Sequence, residues 1–85
     1  MAAAKIDWEA LARANTHPLR IRILELFAAD PDAEHLPKMI SVQIGIPLGN
    51  CAYHVKALFK SGLLRISSKH QRRGAMETRY RLRSH

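Results

Sequence analysis

Residues 37–62 read PKMISVQIGIPLGNCAYHVKALFKSG, and this stretch limits the possible folds more than any other. Ile40 and Ile44, then Cys51, Val55 and Leu58, recur three or four residues apart, so each half carries one apolar stripe of helical period. Gly45 sits between the stripes. A glycine adopts positive φ at little cost, which lets the chain leave one helix and enter another within about four residues. The pattern predicts a helix-turn-helix over about 37–61, with its second helix over about 48–61. Pro37 opens the first helix where a missing N–H costs nothing, although Leu36 before it is a poor N-cap. Ser41 is small enough to admit a neighbouring helix, whereas Met39 and Val42 are expected to point away from the core.

The upstream sequence predicts two further helices. Asp7 can cap a short helix over about 8–14, with Ile6 placed to staple onto Leu11. Trp8 adds more apolar surface than so brief a helix needs, and Ile6, Trp8 and Leu11 are therefore candidates for a subunit interface as well as for the core. After the break at Asn15-Thr16-His17, Pro18 starts a second helix. Leu19, Ile23, Leu26 and Phe27 form its expected stripe, widened by Ile21 and Leu24, while Arg20 and Arg22 are expected in solvent and Arg22 can pair with Glu25. Asp30-Pro31 ends it. Residues 30–35 then form a polar loop with three carboxylates and one histidine whose spacing matches no metal-binding signature, so an exposed acidic loop is expected.

Gly62 stands where a helix C′ residue belongs. Beyond it, Leu64 and Ile66 alternate with Arg65, Ser67 and Lys69, and Thr78, Tyr80 and Leu82 alternate with Glu77, Arg79, Arg81 and Arg83, which predicts two strands. Residues 70–74, HQRRG, are the expected connection. The result is a β-hairpin over about 63–83 with an apolar inner face and a basic outer face.

Charge narrows the choice of partner. Residues 1–55 carry five basic groups (Lys5, Arg13, Arg20, Arg22, Lys38) against six acidic ones (Asp7, Glu9, Glu25, Asp30, Asp32, Glu34). Residues 56–85 carry nine (Lys56, Lys60, Arg65, Lys69, Arg72, Arg73, Arg79, Arg81, Arg83) against Glu77 alone, so the whole excess of +7 lies in the final third. Such asymmetry points to a polyanion, nucleic acid before anionic membrane, with a solvated surface as the bland alternative. The 85 residues suit one domain over 1–85, small enough for dimerisation to help its stability. No apolar run approaches the roughly 20 residues of a membrane span, and Lys5, Asp7 and Glu9 interrupt any signal-peptide core. A cytoplasmic protein is expected. Its one cysteine, Cys51, permits no internal disulfide.

Helices followed by a helix-turn-helix and a C-terminal hairpin make an α+β, mainly α chain with the order of a winged helix-turn-helix. THPLRIRILELF, IGIPLGNCAYHVKALFKSGLL and the RRG…TRYRL hairpin resemble the ArsR-type, arsenical-resistance repressor-like, transcription regulators over about 15–82. The most specific parts are His17-Pro18-Leu19-Arg20 and Asn50-Cys51-Ala52-Tyr53-His54-Val55-Lys56. The resemblance implies double-stranded DNA binding, usually as a homodimer and often as a repressor. Two of that family's features are missing. Residues 36–46 hold no cysteine for a metal site, and the sequence stops about three residues after the second strand, without the C-terminal helix that often completes the dimer. One thiol cannot supply the several that a soft metal needs, so Cys51 is expected to be a small buried hydrophobe and no cofactor is expected.

The residues support the DNA reading independently. With Cys51, Val55 and Leu58 buried, Gly49, Asn50, Ala52, Tyr53 and Lys56 face the other way, toward a major groove. Asn50 can bond adenine, and Ala52 can touch a thymine methyl. Tyr53 and His54 can reach a base edge or phosphate, while Lys56 and Lys60 supply charge. Lys69, Gln71, Arg72 and Arg73 on the hairpin would meet the adjacent backbone or minor groove. Competing structural roles exist for each: packing for Tyr53 and His54, a helix-start bond for Asn50, and solvation for the hairpin cations. Two other functions fit the pattern less fully. One is a protein-interaction module docking through Trp8, Met39 and Val42. The other is a ligand or metal sensor with an inter-subunit site built from His17, His35, His70 or His85. No nucleophile and base pair, glycine-rich phosphate loop or metal cluster supports an enzyme.

Overall fold

The computed structural model describes residues 17–83, which form three helices and a two-stranded antiparallel hairpin. The helices are α1 (Pro18–Ala29), α2 (Pro37–Ile44) and α3 (Leu48–Lys60), and the strands are β1 (Leu64–Arg72) and β2 (Ala75–Leu82). This is the winged helix-turn-helix order. The helix expected over 8–14, and with it Ile6, Trp8 and Leu11, lies outside the described residues, as does His85.

Local chemistry sets the helix ends. His17 caps α1 by accepting the Leu19 N–H on its Nδ1 at 3.1 Å, and Pro18 follows in the first turn. At the end of α2, Gly45 takes φ 82°, and its own N–H and that of Ile46 both reach the Ser41 carbonyl, at 2.8 and 3.1 Å. Gly62, at φ 85°, ends α3 in a Schellman turn. There the Gly62 N–H bonds the Phe59 carbonyl and the Leu63 N–H bonds the Leu58 carbonyl, both at 3.0 Å. That turn aims the chain directly into β1.

The core collects Ile23, Leu24 and Phe27 from α1, Ile40 from α2, Cys51, Val55 and Leu58 from α3, and Leu63, Leu64 and Leu82 from the hairpin base. Cys51 is fully buried, its thiol 3.3 Å from the Pro37 carbonyl. Removal from water pushes the thiol pKa up. The α1 stripe differs from the expected one. Ile23, Leu24 and Phe27 are buried, Leu19 and Leu26 only partly so, and Ile21 is exposed. Arg20 stands three and four residues before Ile23 and Leu24, so it extends the buried stripe instead of lying off it.

The hairpin corrects the sequence pattern twice. Its connection is not residues 70–74 but the two residues Arg73 and Gly74, at φ 48° and 82°. Two consecutive positive φ values give the turn whose twist matches paired strands, so β1 continues to Arg72. A bulge between Ile66 and Ser68 then shifts the register. Beyond it Lys69 pairs with Thr78 and Gln71 with Met76. These side chains therefore share the face of Tyr80 and Leu82, whereas Ser68, His70 and Arg72 join Arg65, Arg79 and Arg81.

Asp30, Asp32 and Glu34 of the acidic loop are exposed, as expected, while the loop's backbone is docked on the hairpin. His35 pairs with Tyr80 like one residue of a third strand, through Tyr80 N–H to His35 O at 2.9 Å and His35 N–H to Tyr80 O at 2.8 Å. Arg81 Nη2 donates to the Asp32 carbonyl at 2.7 Å. Ser67 and Ser68 both donate to Glu34 Oε2, the second at 2.9 Å. Phe27 meets the His35 ring edge-on at 4.7 Å. The bulge that re-aims Ser67 and Ser68 is thus what gives Glu34 its partners.

Candidate nucleic-acid interface

Helix α3 is two-faced. Cys51, His54, Val55 and Leu58 are buried, while Gly49, Asn50, Ala52, Tyr53, Lys56 and Lys60 are exposed. Tyr53 stands 65% exposed, far more than a packing role requires. It lines a shallow groove of about 220 Å³ with Lys56, Ala57 and Lys60. Pro47 gives the helix start no side-chain acceptor. An exposed aromatic hydroxyl sharing a groove with two lysines suits a phosphate or a base edge.

His54 is the exception among the expected contacts. It is 7% exposed, and its Nδ1 accepts the Arg20 Nε–H at 3.0 Å across the interface between α1 and α3. The physical reason is its place on the stripe, three residues after Cys51 and four before Leu58, a spacing already present in the sequence. Burial depresses its pKa first, followed by repulsion from His17 and Arg20. Arg20, expected in solvent, is instead the half-buried partner of this histidine. Besides His54 it engages Tyr53, with its guanidinium carbon 5.6 Å from the ring centroid.

On the hairpin, Lys69, Gln71, Arg72 and Arg73 are all exposed. Arg72 makes an ion pair with Glu77 at 3.3 Å, the two side chains being 64% and 30% exposed. Such exposed pairs contribute roughly 0–1 kcal/mol, which leaves Arg72 exchangeable toward another anion. Arg79 and Arg81 are half-buried at the base, and neither Nε has a hydrogen-bond partner among the described residues.

Of the histidines considered for a sensor site, the three described ones lie on different parts of the fold. His17 stacks on His54 with ring centroids 4.6 Å apart, His35 is tucked against Phe27, and His70 faces Glu77 across the strands. His35 also borders a cleft of about 550 Å³ with Arg22, Glu25, Asp30 and Gln43. Its pKa is lowered by burial, an effect partly opposed by Asp30. Among the described residues, no three His, Cys, Asp or Glu side chains are grouped to hold a metal ion. No described helix is long and apolar enough to cross a membrane. Met39 and Val42 are exposed at 63% and 80%, and Trp8, the third residue considered for a docking face, lies outside the described residues.

Residues 16–67 match the helix-turn-helix domain family. Three solved structures share the fold. A possible transcriptional regulator from Methanosarcina mazei Go1 superposes with a TM-score of 0.78 at 17% identity, over 87% of this chain and 62% of that one. A fragment (1–100) of a possible transcriptional regulatory protein from Mycobacterium bovis gives 0.64 at 25% identity, over 86% and 70%. The transcriptional regulator HlyU from Vibrio vulnificus CMCP6 gives 0.63 at 17% identity, over 88% and 70%. This chain thus spans less than two thirds of the Methanosarcina protein. No curated protein matches it in sequence.

Proposed function

The chain belongs to the helix-turn-helix domain family, and from that membership and the site geometry we propose that it binds double-stranded DNA with sequence preference and regulates transcription. The observation that carries the proposal is the polar face of α3, where Gly49, Asn50, Ala52, Tyr53, Lys56 and Lys60 stand exposed opposite a fully buried stripe. In the proposed complex that face enters a major groove and chooses the sequence. Asn50 and Tyr53 read base edges, Ala52 touches a methyl group, and Lys56 and Lys60 meet phosphates. The wing adds attraction through Lys69, Gln71, Arg72 and Arg73 on the neighbouring backbone or minor groove.

The finer assignment is an ArsR-type repressor acting as a homodimer on a two-fold related site, with residues 1–85 as one domain. The support is the HPLR and NCAYHVK motifs. A symmetric dimer requires a palindromic site with half-sites about one helical turn apart.

Selection of bound sequences from a random duplex pool, followed by fluorescence anisotropy against salt, tests the reading. A palindromic consensus is expected, with log affinity falling linearly against log salt by about 0.9 per phosphate contacted. Salt-independent binding, or no enriched sequence, overturns it.

A further inference from the structure

Helix α3 places one polar residue, His54, on an otherwise apolar buried stripe, and the half-buried Arg20 at the head of the α1 stripe meets it. Arg20 continues the line of Ile23, Leu24 and Phe27, and His54 lies between Cys51 and Leu58. A polar group is costly in such a position unless it is paired, so the contact needs a reason beyond packing. The one visible is next door. Arg20 donates Nε–H to buried His54 Nδ1 at 3.0 Å, and the same guanidinium lies 5.6 Å from the centroid of the exposed Tyr53 ring. Tyr53 in turn meets the His54 ring edge-on at 5.3 Å. One arginine thereby touches two successive residues of α3, one inside and one at the surface proposed to meet DNA.

We propose that Arg20 and His54 are positioning residues that hold Tyr53 in its DNA-reading orientation, and that they do so only while His54 is neutral. The inference rests on the proposed DNA-binding function.

Proton placement follows from the donor inventory. A guanidinium only donates, so His54 Nδ1 must offer its lone pair and the single ring proton sits on Nε2. A second proton could enter only at Nδ1, directly against the Arg20 N–H. Among the described residues, the titratable and charged groups against the His54 ring are His17 and Arg20 from α1 and Tyr53 from its own helix. His17 and Arg20 both disfavour a cation there, in line with the depressed pKa. Protonation would therefore drive the guanidinium off the ring and free Tyr53. Acid should weaken DNA binding by this route. Gaining positive charge elsewhere would strengthen it, so the sign is diagnostic.

A double-mutant cycle on the selected duplex tests the coupling. Arg20→Met and Tyr53→Ala are each expected to weaken binding on the order of threefold to tenfold, with the double variant little weaker than either. Losses that simply multiply would mean that Arg20 acts independently of Tyr53 and would overturn the proposal. His54→Asn offers Oδ1 near the position of Nδ1 but cannot be protonated. It should retain most of the affinity and abolish the acid-induced loss, and an unchanged acid profile is contrary to the proposal. Long-range proton–nitrogen NMR on free protein reads the pair without DNA. The Nε2–H tautomer is expected, and an Nδ1–H tautomer excludes the bond. If no duplex is selected at all, the DNA-binding reading fails and the positioning role with it, whereas the NMR result still decides the Arg20–His54 bond separately.

Discussion

At the tip of the hairpin Arg72 and Arg73 stand in solvent, with one half-buried carboxylate, Glu77, beside Arg72. At its base Arg79 and Arg81 are half-buried beneath the loop over residues 30–35, where Arg81 holds the Asp32 carbonyl and both act on Glu34. Residue type and strand chemistry are the same at the two ends. What differs is whether backbone from another part of the chain has come down on top. A charge tally counts these arginines equally, but the base pair serves the fold while the tip pair remains available to a polyanion. The attraction assigned to the final third of the chain therefore rests on fewer groups than its composition indicates.

The largest test of this contrast removes an aromatic ring. Tyr80 joins β2 to the loop and packs on Phe59 at 5.9 Å, so Tyr80→Ala should cost about 2–3 kcal/mol in urea unfolding. Met76→Ala near the tip, 55% exposed, should stay within about 0.5 kcal/mol. Equal losses would break the distinction between anchored base and free tip.

The arginines come next. Replacing Arg72 and Arg73 together by alanine should weaken duplex binding by about tenfold, close to 1.4 kcal/mol, and make the log–log salt slope shallower by about 2. Replacing Arg79 and Arg81 together should leave that slope nearly unchanged while lowering Tm. A slope that responds to both pairs alike would return the base arginines to the interface.

A smaller change separates the shape of the tip from its charge. Arg73 occupies the left-handed region at φ 48°, where asparagine is better tolerated. Arg73→Asn should therefore stabilise the hairpin by about 0.5–1 kcal/mol, read as a higher Tm, while weakening the binding measured by anisotropy. A variant both more stable and equally tight in binding would remove Arg73 from the contact set.

The smallest effect concerns Glu34 and the pH. Hydrogen bonds from Ser67, then Ser68, together with the charges of Arg79 and Arg81, hold its pKa below the ordinary carboxylate value. Its folded value lies below its unfolded one, so its contribution is complete above the carboxylate range and is lost as pH falls through the folded value. His35 and His54 are also depressed, and their contributions begin to fall below about pH 6.5. Tm measured against pH should thus decline in two stages, and Glu34→Gln should flatten only the more acidic one. If the substitution altered the histidine stage instead, the loop would not be held to the base by this carboxylate.

Much of the fold was legible because its signals are local. Pro18, Pro37, Gly45 and Gly62 punctuate helices through their own backbone preferences, and the Cys51, Val55 and Leu58 stripe needs only the helical period. The exposed candidates on α3 follow from that stripe by geometry. His54 was legible in principle, since it lies on the same stripe, but an imidazole there suits a packed position and a ligand contact alike, and only the fold decides between them. Arg20 likewise falls in line with Ile23, Leu24 and Phe27, and its charge disguised the position.

The rest depended on partners far away in the chain. A bulge moves Lys69 and Gln71 to the other face, and a strand pattern cannot reveal one extra residue without its opposite strand. The docked loop needs Tyr80 beside His35, and Arg20 needs His54, pairings separated by many residues and set only when the helices and hairpin close on one core. The sequence by itself determined where the three described helices begin and end, that a hairpin follows them, and which side of α3 is left outside, because propensity and periodicity act within a few residues. Tertiary structure decided which charges stay free and what holds Tyr53, because those are contests between solvent and distant partners.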